Sequence, residues 1–188
     1  MATTNGSVQE QRKQIFETVE GKFGFVPNLI TELAENPAVA KAYLAATNVL
    51  ASGRLSPSEQ QAVQIAVAAY NECHYCTAVH GGIGLNAGLS EDDVSAILSG
   101  GLPEDERLGA LVEATRQVLD ARGWLDAEDL RALEARGVSK AELYEVIAFV
   151  GVKTITNYIN HIARTEVDDP FGAITDLPAY KQVVAAEA

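Results

Sequence analysis

Apolar residues recur at three- and four-residue spacings along most of the chain, and a sustained period-two alternation appears nowhere. That pattern predicts helices throughout and no sheet, an all-α fold. Val8, Ile15, Phe16 and Val19 mark a modest amphipathic helix over 8–20, and Gly21, Gly24 and Pro27 punctuate the stretch after it. A short helix is expected over 28–34. Asn36-Pro37 then opens another by placing proline at the first helical position, and that helix runs to about residue 51, before Gly53.

Three later helices start alike. Ser56-Pro57-Ser58-Glu59, Ser90-Glu91-Asp92-Asp93 and Ser139-Lys140-Ala141-Glu142 each put a serine three residues before a carboxylate, the pattern of a capping box with acidic groups at the positive end of the helix. They predict helices over 57–70, 90–98 and 140–163. Between them, a helix is expected from the cysteine motif to Gly84–Gly88. Another covers 104–121, with Leu108, Leu111, Val112, Thr115, Val118 and Leu119 on one side, and a third covers 126–135, ended by Gly137. The last long helix is apolar nearly all round through Val146 to Val152, which predicts a central, buried position. Residues 1–7 are expected to be disordered. The segment from Thr165 onward, with Pro170 and Pro178, is expected to wrap a surface or a neighbouring subunit. Leu55-Ser56-x-x-Glu59 and Val138-Ser139-x-x-Glu142 echo one another, and repeated capping explains the echo more simply than a duplicated helix pair.

Composition narrows the functional classes. The chain has 188 residues, 47% of them hydrophobic, so a single domain over 1–188 with a real core is expected. Fourteen basic against 26 acidic residues leave a net charge of -12, which disfavours nucleic acid and anionic membrane surfaces as partners. The longest apolar runs are too short to cross a bilayer. The segment Met1 to Gln11 lacks the basic-then-apolar order of a signal peptide. A soluble cytoplasmic protein is the expectation. There, two cysteines in a C-x-x-C pair point to catalysis or metal binding before a structural staple.

The chemistry concentrates in Asn71-Glu72-Cys73-His74-Tyr75-Cys76-Thr77-Ala78-Val79-His80, which holds both cysteines and two of the three histidines. Thiols separated by two residues can close a disulfide across one helical turn, and His80 lies one turn beyond Cys76 on the same face. Zinc is the competing chemistry. Cys73, Cys76 and His80 offer three ligands, with His74 or His161 as a fourth, but structural zinc sites usually pair two ligand-bearing knuckles and no second one is present. Gly81, Gly82 and Gly84 form no phosphate loop, since no strand precedes them and no lysine-serine pair follows, and they read as sites of close helix packing. His74 reads as solvated, Glu72 as surface charge, and Trp124, Phe149 and Tyr144 as packing. His161 with Asn157 and Tyr158 lines the pocket or a subunit contact.

The run from Leu55 to Glu59, the alanine-rich helix after it, and Asn71-x-Cys73-x-Tyr75-Cys76-x-x-x-His80 resemble the AhpD-like family, the alkylhydroperoxidase relatives of carboxymuconolactone decarboxylase. Val26-Pro27-Asn28 and Asn36-Pro37-Ala38-Val39 upstream, and Asn157-Tyr158-Ile159-Asn160-His161 and Asp168-x-x-Phe171 downstream, extend the resemblance over 23–171. It implies an AhpD-like helical bundle assembled as a homo-oligomer, a trimer or hexamer. The implied activity is that of a thiol peroxidase, with thiol-disulfide exchange or redox sensing as alternatives and lactone decarboxylation less favoured because it does not need the C-x-x-C pair. By the same resemblance Cys76 is the peroxidatic thiol, Cys73 the resolving thiol, and His80 the group that helps deprotonate Cys76. No bound cofactor is required; the partners are a hydroperoxide substrate and an external dithiol reductant. Active relatives carry a relay glutamate twelve residues before the first cysteine, where this chain has Gln61. A glutamine holds a hydrogen bond but cannot accept the proton. Tyr75 stands where some relatives have histidine, and Gln61, Tyr75 and His161 complete the candidate relay and pocket residues.

Overall fold

A computed structural model describes residues 6–186. Among them no β-strand forms. The elements are α1 (Val8–Phe23), α2 (Asn28–Leu33), α3 (Pro37–Leu50), α4 (Pro57–Tyr70), α5 (His74–Asn86), α6 (Glu91–Leu98), α7 (Glu106–Ala121), α8 (Ala127–Ala135), α9 (Lys140–Ala163), a 3-10 segment (Asp169–Asp176) and α10 (Pro178–Ala186). Of the stretch 1–7 expected to be disordered, residues 1–5 lie outside the described residues. Ser7 is ordered, its hydroxyl accepting from the Glu10 N–H to cap α1.

Capping fixed most of these boundaries. Boxes form at Ser56/Glu59, Ser90/Asp93 and Ser139/Glu142, and a fourth at Asp126/Asp129. Glu59 and Glu142 also accept from one guanidinium, that of Arg107, through Nε at 2.6 Å and Nη2 at 2.5 Å. One cation on α7 thus ties together the starts of α4 and α9, two helices far apart in sequence.

The centre of the bundle is α4, not α9. Every residue of α4 from Ala62 to Ala68 is buried. Alanines at 62, 66 and 68 bring neighbouring backbones close, and α5, α6, α7 and α9 all pack on this helix. The expectation that α9 is buried on all sides is corrected. Leu143, Val146, Phe149, Lys153, Thr156, Asn157 and Asn160 face inward, whereas Tyr144, Ile147, Gly151, Ile155, Tyr158 and Ile162 face solvent. An apolar run shows that both faces lack charge, and it does not show that both are covered.

Three clusters form the core. One joins α4, α5 and α6 to α10 through Ile65, Ile97, Ile174 and Tyr180. A second joins α1, α2 and α3 to the cysteine motif through Ile15, Leu33 and Tyr75. The third joins α4, α7, α8 and α9 through Val63, Leu111, Leu133 and Phe149. The segment after Thr165 folds back on its own chain: Ile174, Ala179, Tyr180 and Val183 are buried in the first cluster. Pro170 and Pro178 sit at helix starts, where a missing N–H costs nothing.

The glycines of α5 do mediate close packing. A β-carbon on Gly81 would lie 3.2 Å from Ile174, one on Gly82 3.3 Å from Phe171, and one on Gly84 2.9 Å from a Leu89 methyl and 3.3 Å from an Ile65 methyl. Gly84→Val is therefore expected to lower stability by about 2 kcal/mol through overpacking, read as a shift in the urea midpoint of the reduced protein.

Candidate active site

The chain leaves α4 through Asn71 and Glu72, the latter with φ of 56°, and reaches Cys73, the residue that precedes α5. The Cys73 N–H donates to the Ala68 carbonyl at 2.9 Å, which fixes the turn. Cys76 follows in the first turn of α5, close to the positive end of that helix, a position that favours thiolate. Both thiols are free and buried, Cys73 at 0% and Cys76 at 1% exposure.

Helix α9 covers them from the other side. Asn160 donates through Nδ2 to Cys76 Sγ at 3.2 Å and lies 3.9 Å from Cys73 Sγ. Thr156 Oγ1 lies 3.8 Å from Cys76 Sγ. One turn earlier, Lys153 is fully buried, and its Nζ lies 2.5 Å from His80 Nε2. His80 Nδ1 lies 2.9 Å from Gln61 Oε1 on α4. A carbonyl oxygen only accepts and an ammonium only donates. His80 is thus neutral with its proton on Nδ1, donating to Gln61 and accepting from Lys153. Burial and the Lys153 charge both hold its pKa well below the ordinary histidine value.

The two thiols are driven apart. Burial pushes the Cys76 pKa up, but a hydrogen bond from Cys73, the Lys153 charge, and the contacts with the Thr156 hydroxyl and the Asn160 amide together outweigh it and hold the thiol at about 5. Cys73 is raised, first by its hydrogen bond to Cys76, then by burial and by the neighbouring negative charge. The result is one thiolate beside one thiol that donates to it.

Around this centre, Tyr75 is buried with its hydroxyl donating to Asp168 Oδ2 at 2.7 Å and accepting from the Leu29 N–H at 3.3 Å. Burial and then the Asp168 bond raise its pKa. Tyr75 thus points toward α2 and the C-terminal segment, tying both to α5. His74 is half-buried, its Nε2 3.1 Å from the Thr165 carbonyl, which corrects the solvated reading. His161 packs beside the exposed Tyr158 ring at the outer end of α9. Asn157 is buried and accepts through Oδ1 from Asn71 at 2.9 Å. Of the three residues read as packing, Phe149 is buried, while Tyr144 and Trp124 are exposed, Trp124 by 88%. Among the described residues no three His, Cys, Asp or Glu side chains cluster closely enough to hold a metal ion.

The segment that builds this site can be placed among known proteins. Residues 37–127 match the model of the carboxymuconolactone decarboxylase family. That span contains α4, both thiols, Gln61 and His80. No match was found among curated protein sequences. Solved structures share the fold. An alkylhydroperoxidase AhpD core protein described as peroxidase-related and uncharacterized, from Ralstonia eutropha, matches with a TM-score of 0.76 at 22% identity, over 90% of this chain and 93% of the other. A peroxidase-related protein from a Silicibacter species gives 0.72 at 19% identity, over 90% and 91%. The debrominase Bmp8 gives 0.68 at 19% identity, over 92% and 91%.

Within this family segment, sequence reasoning located Cys73, Cys76, His80 and Gln61, and the fold brings all four together. Beyond it, Lys153, Thr156 and Asn160 were missed as site residues, although Lys153 carries a signal: it is the sole Lys, Arg, Asp or Glu between Glu145 and Arg164 on an apolar helix. Tyr43 on α3 was missed too. It is half-buried, and its phenol pKa is raised by burial against the pull of Lys153.

The split thiols predict how stability depends on pH. Cys76 is depressed in the folded state, so its contribution is complete above the unfolded value of about 8.5 and is lost as pH falls through about 5. Cys73 is raised, so it keeps a proton that the unfolded chain releases above about 8.5. Stability of the reduced protein should therefore climb by about 1.4 kcal/mol per pH unit across that window and turn down beyond it. Neutral, buried His80 adds in the same direction as Cys76 at the acidic end. Urea midpoints of reduced wild type and Cys76→Ala across pH should diverge with this slope, and parallel curves would contradict it.

No helix among the described residues is long and apolar enough to cross a membrane.

Proposed function

We propose that the protein is a cytoplasmic thiol peroxidase that reduces small hydroperoxides through Cys76 and Cys73. The observation that carries this reading is the buried Cys73–Cys76 pair at the start of α5, with the Asn160 amide donating to Cys76 Sγ at 3.2 Å and the fully buried Lys153 charge favouring a Cys76 thiolate. A peroxidase needs a nucleophilic thiolate at neutral pH and a second thiol within reach. The Cys76 thiolate attacks the terminal peroxide oxygen, the O–O bond breaks, and an alkoxide leaves, taking a proton that the Lys153–His80 pair is placed to supply. Cys76 becomes a sulfenic acid. Cys73 then attacks its sulfur; the disulfide forms, and hydroxide leaves with the Cys73 proton as water. An external dithiol restores both thiols by two exchanges.

Asn160 supports the reading further. Its Nδ2 donates to Cys76, while its Oδ1 is buried without a protein partner. An acceptor on the same amide as the thiolate donor suits the O–H of a hydroperoxide. Burial of both thiols favours a small oxidant over a protein disulfide, and asks for a small dithiol as reductant.

The test is stopped-flow thiol oxidation of the reduced protein with an alkyl hydroperoxide. The expected result is consumption of one equivalent, far faster than by a free thiol at the same pH, ending in a Cys73–Cys76 disulfide. In Cys73→Ser a sulfenic acid should persist at Cys76 and be captured by a sulfenic-acid reagent. A rate no greater than that of free thiol would defeat the proposal. A single slow oxidation without turnover by dithiol would instead mark a redox sensor.

A further inference from the structure

The exposed face of α9 reads the same in both directions. Its centre is Gly151. Four residues to either side stand Ile147 and Ile155, and seven residues to either side stand Tyr144 and Tyr158, all exposed. Ala141 and Ile162, the latter 86% exposed, extend the face at its ends. The spacings of three and four keep these positions on one stripe. A stripe with this order is complementary to itself when reversed, which is the condition for an isologous two-fold contact.

We infer that this face of α9 pairs with α9 of a second copy of the chain, antiparallel, with the two-fold axis at Gly151. Tyr144 then meets the partner's Tyr158, and Ile147 meets the partner's Ile155. Gly151 meets itself. A β-carbon at Gly151 would touch nothing within 4 Å in the single chain, so no intrachain packing explains a glycine there. A glycine in a helix interior costs roughly 1 kcal/mol relative to alanine, and at the crossing point it lets two helix backbones approach closely.

Charge and area point to the same occupant. The chain carries a net charge of -12, so copies repel one another over most of their surface. Yet the exposed positions of α9 from Ala141 to Ile162 hold no charged side chain. Five large side chains, each leaving on the order of 100 Å² in water, give about 500 Å² per protomer. A two-fold pair then removes about 1,000 Å², the level a specific interface must reach. The contact differs from the three-fold arrangement implied by resemblance, and a hexamer could contain three such pairs.

The opposite face of α9 holds Lys153, Thr156 and Asn160. The pairing therefore braces the helix that polarises Cys76, although the inference stands whether or not the peroxidase reading does.

The test uses a Cys73→Ser/Cys76→Ser background, so that no native thiol competes. Residues at a two-fold axis face their own copies, so Gly151→Cys should give a disulfide-linked dimer under mild oxidation. Trp124→Cys, equally open to solvent, should cross-link at least tenfold more slowly. Separately, Ile155→Glu in the otherwise native chain should weaken the dimer at least tenfold by sedimentation equilibrium, with helical circular dichroism unchanged. A wild-type monomer at every concentration would overturn the inference. So would an oligomer in which Gly151→Cys cross-links no faster than Trp124→Cys and Ile155→Glu leaves the mass unchanged.

Discussion

Replacing Lys153 by methionine is expected to raise the Cys76 pKa from about 5 to the ordinary value near ~8.5 or above, and to slow peroxide reduction accordingly. The lysine is fully buried, so its charge acts on the thiol without screening by water. Methionine keeps the length and apolar character of the stem and removes the charge together with the hydrogen bond to His80 Nε2. Burial, the largest influence on Cys76 and one that opposes thiolate, is then resisted only by the hydrogen bonds from Cys73 and Asn160 and the contact with Thr156. With a pKa near ~8.5, about 3% of the thiol is ionised at pH 7, so the rate should fall roughly thirtyfold or more. Two readouts separate this from structural damage. The ultraviolet absorbance of the thiolate should titrate at higher pH in Lys153→Met. The rate of the variant should also rise with pH up to the new pKa while that of wild type stays flat, and any deficit left above that pKa measures the proton that Lys153 supplies to the leaving alkoxide. A variant that is uniformly slow at every pH, with its titration midpoint unmoved, would show that Lys153 serves packing alone.

The same centre shows what a sequence can and cannot reveal. Cys73, Cys76 and His80 were legible because their spacing is local: a helical turn brings them together whatever the remaining chain does. Helix starts were legible for the same reason, since a serine and a carboxylate three residues on satisfy each other within one turn. Lys153, Thr156 and Asn160 were not, because they lie more than seventy residues away and reach the thiols only through the packing of α9 on α4 and α5. The contacts of His80 were not legible either: its two ring nitrogens are engaged by Gln61 and Lys153. Gln61 fits that arrangement. A glutamine oxygen fixes the histidine tautomer while adding no negative charge, so the Lys153 ammonium is left to act on Cys76. The α9 expectation went astray for a different reason. Hydropathy measures whether a face avoids water, and a face that avoids water can be covered within the chain or by another copy of it.

Asp168→Ala is expected to cost about 3 kcal/mol of stability while leaving the thiolate intact, since it strands two donors, each worth about 1–3 kcal/mol. Asp168 is buried and its two carboxylate oxygens serve separate groups: Oδ1 accepts from the Asn28 N–H at 3.0 Å and Oδ2 from the Tyr75 hydroxyl at 2.7 Å. The first bond satisfies the start of α2, whose flanking Pro27 offers no side-chain cap. The second completes a chain in which the Leu29 N–H donates to Tyr75. Alanine leaves a buried hydroxyl and a helix-start N–H without their acceptor. Asp168→Asn would be an incomplete repair. The amide oxygen can still accept from Asn28, but the amide nitrogen presents a donor to a tyrosine oxygen that already accepts from Leu29, so the Tyr75 proton has nowhere to go. This variant should therefore fall between wild type and Asp168→Ala. Tyr75→Phe, which strands the Leu29 N–H and one carboxylate oxygen, should be less than additive with Asp168→Ala, because the two changes remove one shared bond. Urea unfolding of wild type, the two single variants and the double variant measures the coupling, and full additivity would show that the two side chains act independently. The Cys76 titration should stay near its wild-type midpoint throughout, since Asp168 is not among the groups that set it.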